Sequence, residues 1–176
     1  MKRLVIIFTI LTVFCTIATA QTEANTPHSD SNTNDKKMVI GKTTLEELSK
    51  NTEFWDEYIP HYAAYSVDEK KLNEISNILI NRNIHIISVL GTWCGDSKEQ
   101  FPVMQKILDN LQNSNISIEY IGVNRDKLAG ETDISALDIL FVPTFIFYEN
   151  AKELGRIVET PEDTMENHIL KILNQQ

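Results

Sequence analysis

The chain has 176 residues, a hydrophobic content of 42% and a formal net charge of −9. This length allows one domain with additional segments, and the composition is that of a soluble globular protein. The acidic balance argues against nucleic acid and anionic membrane surfaces as partners, because both of these carry negative charge.

The first twenty residues have the pattern of a secretory signal peptide. Lys2 and Arg3 form a basic start, an apolar run follows over residues 4–17, and Ala18-Thr19-Ala20 fits a small-x-small cleavage site. We therefore predict cleavage after Ala20 and a periplasmic or secreted protein. An uncleaved anchor is the alternative and would be the one route to the membrane, although this run is shorter than the about 20 residues of a membrane span.

The chain has two cysteines, and Cys15 lies inside the predicted signal peptide. Phe14 precedes it where lipoprotein motifs have a small residue, which argues against lipidation. After cleavage Cys94 is the remaining cysteine, so the mature protein has no pair to form an internal disulfide. A lone thiol in an oxidising compartment is either buried and inert or exposed and reactive.

The sequence predicts four segments of different character. They are a signal peptide (1–20), a flexible linker (21–37), a helical N-terminal extension (38–65) and an α/β domain (66–176). In the extension, residues 38–40 predict a short strand or an anchoring contact, and Thr44 with Glu47 predicts a capping box. Aromatic residues recur there at helical spacing from Phe54 to Tyr65, which favours packing on the domain; a ligand groove is the alternative.

The domain is predicted to alternate helices and strands. Ser66 with Glu69 predicts a capped helix that runs to about Arg82, and Thr160 before Pro161 predicts the start of the last helix. The continuous apolar run over 84–90 predicts a central strand covered on both faces. Further strands are predicted over 116–123, 145–148 and 154–159, with a helical turn over 134–137 and a hairpin turn over 149–152.

One stretch, residues 85–102, carries the chemistry of the chain and reads HIISVLGTWCGDSKEQFP. A strand ends there, Cys94 follows, and a helical pattern begins at once. Unpaired N–H groups and the positive end of the helix dipole favour a thiolate at such a position, and the thiolate is the nucleophilic form. Lys98 adds to this effect, whereas the carboxylate of Asp96 opposes it.

Three features resemble the thioredoxin family, whose active-site motif is Trp-Cys-x-x-Cys. They are Trp93-Cys94-Gly95, Pro102 inside the following helix, and Val142-Pro143-Thr144 ahead of a later strand. The string 91–97 also looks like a group of thioredoxin-like proteins that bacteria export. The resemblance covers about residue 66 to the C-terminus and implies a thioredoxin-like α/β fold, with a central mixed sheet flanked by helices.

The resemblance also implies roles for individual residues. Cys94 and Ser97 take the catalytic positions, and Pro143 is expected to be cis and to face the sulfur. The backbone of Val142 is expected to pair with an extended substrate peptide, a form of strand addition. The residues expected to contact the substrate are Trp93, Gly95, Asp96, Val142 and Pro143.

Two departures from the family pattern change the predicted reaction. Ser97 replaces the second cysteine, and Ser88 replaces the buried acid of the strand. Cys94 can therefore enter a mixed disulfide with a protein or small-molecule thiol but needs an external thiol to leave it. Ser97 can donate a hydrogen bond to the thiolate. This permits monothiol exchange, isomerisation, deglutathionylation-like chemistry or covalent trapping of a client.

Two other functions compete with this one. The first is a non-redox module that uses the fold to bind a peptide or partner. The second is peroxide reduction through a sulfenic acid on Cys94, for which the threonine and arginine arrangement of peroxiredoxins is missing. No cofactor is predicted, and no His, Cys, Asp or Glu pair has a spacing typical of a metal site.

Overall fold

The computed structural model describes residues 37–111 and 115–175. The predicted signal peptide (1–20) and all of the predicted linker except Lys37 lie outside the described residues. Within the described ranges, no helix is both long and apolar enough to span a membrane.

The described residues form one mixed sheet of five strands with helices beside it. The strands are β1 (Gly41–Thr43), β2 (Ile84–Leu90), β3 (Ile116–Gly122), β4 (Thr144–Glu149) and β5 (Lys152–Val158). The helices are α1 (Leu45–Ser49), α2 (Thr52–Ala64), α3 (Glu69–Leu79), α4 (Gly95–Leu111) and α5 (Met165–Leu173). The strand order is β1-β3-β2-β4-β5, in which β2 and β3 are parallel and the other neighbours are antiparallel. The predicted α/β fold with a central mixed sheet is confirmed.

The hairpin between β4 and β5 turns at Asn150 and Ala151. Both residues have positive φ, at 50° and 63°. Two successive positive φ values are typical of the two-residue turns whose twist matches the strands of a hairpin. The turn predicted over 149–152 is therefore confirmed.

One face of the sheet carries the large hydrophobic core. The buried side of every helix named above joins alternate residues of β2, β4 and β5 in this cluster. Alternation arises because successive side chains of a strand point to opposite faces. The largest fully buried side chains of this cluster include Phe54, Phe101, Phe145, Phe147, Leu48, Ile75, Leu79 and Ile86.

The opposite face carries a second, smaller cluster. It consists of Val89, Ile121, Val123, Ala129 and Val142, and it contains no residue of an α-helix among the described residues. The connection from β3 to β4 covers this face near the carboxyl end of β2, whereas His85 and Ile87 stay half-buried. The prediction of a central strand covered on both faces is thus correct only for the end of β2 that leads to Cys94.

The N-terminal extension is built into the domain through its aromatic residues. Phe54 is fully buried, and its ring lies 5.9 Å from that of Phe101 on α4. Trp55, Tyr58 and Tyr62 stack in a row along α2. These rings pack against the core, as their helical spacing predicts, and do not line a ligand groove.

The start of the extension crosses the sheet edge close to β3. The first strand is Gly41–Thr43, so the strand predicted over 38–40 is wrong. The alternative prediction, an anchoring contact, is correct for Val39. A Cβ on Gly122 would lie 2.2 Å from the Val39 carbonyl oxygen, and glycine at 122 is what permits this approach. Val39 N donates to Thr92 Oγ1 at 3.3 Å. The extension is therefore tied to the turn that precedes Cys94.

Helix α3 starts later than the sequence predicts. The capping box at Thr44 and Glu47 is present in α1, but the one predicted at Ser66 and Glu69 is wrong. The cap is Asp68, whose carboxylate accepts from two backbone amides of the first turn. The Asp68 amide in turn donates to the buried carboxylate of Glu166, which also accepts from the Tyr65 hydroxyl at 2.6 Å. A distant acid therefore fixes where the helix begins.

The last helix also begins later than predicted. Thr164, and not Thr160, is its N-cap, and the Thr164 hydroxyl accepts from the Asn167 amide at 3.3 Å. The side chain of Asn167 also bonds to Asp163. Glu159 has a positive φ of 54°, so the chain turns between the end of β5 and the helix. Pro161 lies in this turn and not in the first turn of α5.

Candidate functional site

Cys94 lies between the carboxyl end of β2 and the first residue of α4. Its amide donates to Gly91 O at 2.9 Å, and its carbonyl accepts from Lys98 N at 3.1 Å. These bonds place Cys94 at the N-cap position, where the orphan amides of the first turn face the capping side chain. The thiol is free and half-buried, so part of it stays accessible to a partner in solution.

A second segment reaches the thiol from far along the chain. Cys94 Sγ donates to the carbonyl oxygen of Val142 at 3.1 Å. The bond from Val142 to Pro143 is cis, and both residues are buried. The structure thus brings together the cysteine and the Val-Pro pair that the sequence nominates, although 48 positions separate them.

Ser97 has a structural contact of its own. It is fully buried, and its hydroxyl oxygen accepts from the Gly91 amide at 3.2 Å. The described hydrogen bonds of Ser97 do not include one to Cys94. Ser97, which takes the place of the second cysteine of the family motif, therefore stabilises the turn 91–97 through a buried hydrogen bond.

Ser88 lies on the helix-covered face of β2, opposite Tyr120 and Phe145. It is fully buried, and within the described residues its hydroxyl has no hydrogen-bond partner. Leaving a buried polar group unpaired costs about 1–3 kcal/mol. This site therefore holds neither an acid nor a satisfied polar group.

The Trp93 indole is held beside the thiol by three contacts. Its Nε1 donates to Val123 O at 2.9 Å. Its ring closes over Gly91, where a Cβ would meet the indole at 2.7 Å. On the ring face, the Arg125 guanidinium lies 4.8 Å from the ring centroid and Lys127 Nζ lies 5.9 Å away. Both distances fall within the range of cation–π attraction.

Arg125 is a site residue that the motifs of the sequence do not identify. Its place after β3 indicates only a solvated loop that could lie near the site. No spacing in the sequence signals its contact with Trp93, because that contact depends on the fold, in which the indole bonds to the carbonyl of Val123. The side chain of Arg125 also lines a hollow of about 240 Å³ with residues of the extension and of the active-site turn. The lining residues are Lys37, Met38, Asn51, Glu53, Thr92, Trp93 and Arg125.

Gly95 and Asp96 complete the predicted site. A Cβ on Gly95 would meet no atom within 4 Å, so packing does not require glycine there, and the space beside the thiol is open. Asp96 is half-buried in the first turn of α4. No group of three or more His, Cys, Asp or Glu side chains in the described part of the chain could hold a metal ion.

The fold and this geometry define a class of protein: a mixed-sheet α/β protein with a single thiol at a helix N-terminus, facing a cis-proline segment. A family model described as Thioredoxin matches residues 41–171. The chain belongs to the thioredoxin family. The match begins at β1, so it includes most of the N-terminal extension, which the active-site motifs alone leave outside the resemblance.

The chain is also similar to individual thioredoxins. The chain is 30% identical over 74 residues to a thioredoxin of Malassezia sympodialis, covering 42% of this chain and 66% of the relative. It is 22% identical over 143 residues to thioredoxin H-type 1 of Nicotiana tabacum, covering 81% and 90%. A crystal structure of Fasciola hepatica thioredoxin aligns with a TM-score of 0.40 at 18% identity, covering 61% of this chain and 90% of that one.

Proposed function

We propose that this chain is an exported thioredoxin-family protein that performs monothiol thiol–disulfide exchange through Cys94. The observation that carries the proposal is the half-buried free thiol at the N-cap of α4, hydrogen-bonded to Val142 beside the cis-proline. In this position the thiol is partly accessible to a disulfide partner, and it lies at the helix end where the backbone amides of the first turn have no partner within the helix.

The reaction starts when Cys94 loses its proton to solvent. The thiolate attacks one sulfur of a disulfide, a bond forms between Cys94 Sγ and that sulfur, and the partner's S–S bond breaks. The second sulfur leaves as a thiolate and takes up a proton. The sum of oxidised and reduced sulfur is unchanged, because one disulfide replaces another.

Release needs a thiol from outside the chain. An external thiolate attacks the partner's sulfur in the mixed disulfide, a disulfide forms between the external thiol and the partner, and Cys94 leaves as the thiolate. If the external thiolate attacks Cys94 Sγ instead, the partner leaves as the thiolate and Cys94 stays in a disulfide with the external thiol, which a second external thiol must then release. Ser97 cannot do this, since a hydroxyl forms no disulfide. Through its hydrogen bond with Gly91, Ser97 instead stabilises the turn 91–97.

The partners of the reaction are protein or small-molecule thiols and disulfides. Export rests on the predicted signal peptide and places the reaction in an oxidising compartment, where disulfides are available as substrates. Deglutathionylation, isomerisation and covalent trapping share the same first step and differ in which thiol completes the second.

A second candidate is a non-redox binding module. It is favoured by two exposed apolar side chains directly before Val142, namely Leu140 at 73% and Phe141 at 52% exposure. Exposed apolar groups next to each other often mark a protein-binding surface. In this case the thiol is incidental and the backbone of Val142 carries the contact.

Capture of a disulfide-bonded test protein separates the two candidates. The mature chain is incubated with the test protein, quenched with acid and run on a nonreducing gel. Exchange predicts a crosslinked band that reductant removes and that the Cys94→Ser variant does not form. If the wild type gives no such band while both proteins bind the test protein equally, the redox proposal is wrong and the binding module is supported.

A further inference from the structure

The hollow beside Trp93, the residue that directly precedes Cys94, is lined by two parts of the molecule. One wall is Trp93 with the Arg125 guanidinium on its ring face. The other wall is the start of the extension, where Asn51 Nδ2 donates to Lys37 O at 2.6 Å. The hydrogen bond from Val39 N to Thr92 Oγ1 ties this part of the extension to the active-site turn. These bonds hold the two walls together beside the residues that lead into Cys94.

The charge of this hollow differs from that of the whole chain. The chain as a whole is acidic, with a net charge of −9. The lining has two cations, Lys37 and Arg125, and one carboxylate, Glu53. Lys127 adds a cation on the indole face, while Asp126, next to Arg125 in the sequence, and Asp96, two residues after the thiol, are opposing charges nearby. The lining itself therefore has one more cation than carboxylates, in a chain that is otherwise negative.

The Arg125 guanidinium is available to a ligand. Within the described residues it forms no ion pair or hydrogen bond; its one recorded side-chain contact is the Trp93 ring. A guanidinium that stacks on an indole keeps its N–H edge free, and that edge matches the two oxygens of a carboxylate. The hollow of about 240 Å³ is large enough to admit a carboxylate on a short side chain.

We infer that this hollow binds a carboxylate carried by the disulfide partner of Cys94, and that Arg125 is the specificity-determining residue. The inference rests on the proposed function and names its substrate class: thiols and disulfides with an anionic group close to the sulfur. That group is either the carboxylate of a small thiol peptide or an acidic side chain beside a client's cysteine. Both present the same chemistry to Arg125.

Alkylation of Cys94 by two reagents of similar size and different charge tests this inference. The mature chain is treated with iodoacetate, which is anionic, and with iodoacetamide, which is neutral and of similar size. Each reagent forms a thioether on Cys94 and releases iodide. The measured quantity is the ratio of the two rates at low salt. The neutral reagent reports the nucleophilicity that the proposed function requires, and the ratio reports anion selection alone.

The Arg125→Gln variant should lower this ratio about threefold, since removal of one nearby charge changes the energy of an anion by that order in a largely aqueous site. Arg125→Lys should keep part of it, and 0.5 M salt should reduce the wild-type ratio toward that of Arg125→Gln. Lys152→Gln removes the same charge at the hairpin, at the opposite end of β4 from Pro143, and should leave the ratio unchanged.

An unchanged ratio in Arg125→Gln would overturn the inference, whereas a wild-type thiol inert to both reagents would overturn the proposed function. If Arg125→Gln does not fold, Lys127→Gln provides the same test with a smaller expected change. Exchange with oxidised glutathione, cystamine, and disulfide peptides bearing Asp or Lys next to cysteine then separates the two sources of the carboxylate. If the carboxylate comes from a small thiol peptide, Arg125→Gln slows exchange with oxidised glutathione. If it comes from a client protein, Arg125→Gln slows exchange with the peptide that bears Asp. If Arg125→Gln slows neither reaction, the assignment of Arg125 is wrong.

Discussion

The two faces of the sheet differ in role: one holds the large core, and the other holds the smaller cluster beside the thiol. One face is covered by the helices and has a large core that includes Phe54 and Phe101. The other is covered near the site by the connection from β3 to β4 and carries the smaller cluster, with Trp93 and Cys94 packed at its edge. The helix-covered face thus forms the stable core, and this core positions the smaller cluster that holds the reactive thiol. A change in the first should alter stability, and a change in the second should alter the thiol.

The largest effect is expected at Phe101. Its ring is 1% exposed and contacts the rings of Phe54, Tyr58 and Tyr120. Phe101→Ala should lower the free energy of unfolding by about 3–5 kcal/mol, because it leaves a cavity in the core. Urea denaturation measures this loss. Below the unfolding transition, the iodoacetamide rate of Cys94 should equal that of the wild type; a changed rate would show that the two layers are not separable.

A smaller effect is expected at the two glycines that flank the thiol. Gly91→Ala forces a Cβ into the Trp93 indole and should cost about 2 kcal/mol. Gly95→Ala is the matched control, since its Cβ meets no atom and alanine favours the helix, so stability should stay equal or rise by about 0.5 kcal/mol. Thermal melts of both variants check this. Equal losses at the two positions would contradict the placement of the indole over Gly91.

An ion pair on the helix-covered layer gives a pH test of about 1 kcal/mol. Arg82 bonds both carboxylate oxygens of Glu149 and also donates to Leu173 O at 2.6 Å. The hydrogen bonds from Arg82 lower the pKa of Glu149 below its ordinary value. The unfolded chain therefore binds a proton at higher pH than the folded one, and the stabilisation is complete above the unfolded value of about 4.3 and is lost as pH falls below it.

Arg82→Gln should accordingly be less stable than the wild type at pH 7, and the gap should narrow below about pH 4. Lys50→Gln is the control, because the pair of Lys50 and Glu46 is largely exposed and should contribute little. Urea denaturation from pH 3 to pH 7 measures both. A stability gap that grows in acid would have the opposite sign and would contradict a stabilising ion pair between Arg82 and Glu149.

The two buried serines give the smallest and most pointed comparison. Ser88→Ala removes an unpaired hydroxyl and should raise the free energy of unfolding by about 1 kcal/mol. Ser97→Ala removes the acceptor of the Gly91 amide and should lower it by about the same amount. Both side chains are fully buried, so burial alone cannot explain opposite signs. Denaturation curves that shift in the same direction would contradict the assigned hydrogen bonding.

The sequence predicts the sheet and the thiol well because their signals are local. The β-branched run of β2 gives the central strand, and the Trp93-Cys94-Gly95 string gives the turn and the helix start. Helix starts were predicted less well where a distant residue decides them. Asp68 replaces Ser66 as the cap because Glu166, almost a hundred positions away, accepts its amide.

The same reason explains what was missed at the site. Arg125 reaches Trp93 only because the indole binds the carbonyl of Val123, and no sequence spacing records that contact. The wall formed by Lys37 and Asn51 depends on Gly122, which admits Val39 across the edge of β3. Such contacts follow from the packed fold and not from the period of any one element.

The monothiol character of Cys94 is tested most directly by its adduct with oxidised glutathione. The mature chain is incubated with this disulfide, freed of excess reagent and followed by mass spectrometry. We predict one glutathionyl group on Cys94 that persists until an external thiol is added. The Ser97→Cys variant, given the same treatment, should lose the adduct unaided and end with an internal disulfide. A wild-type chain that forms no adduct, or sheds it without added thiol, would contradict the account.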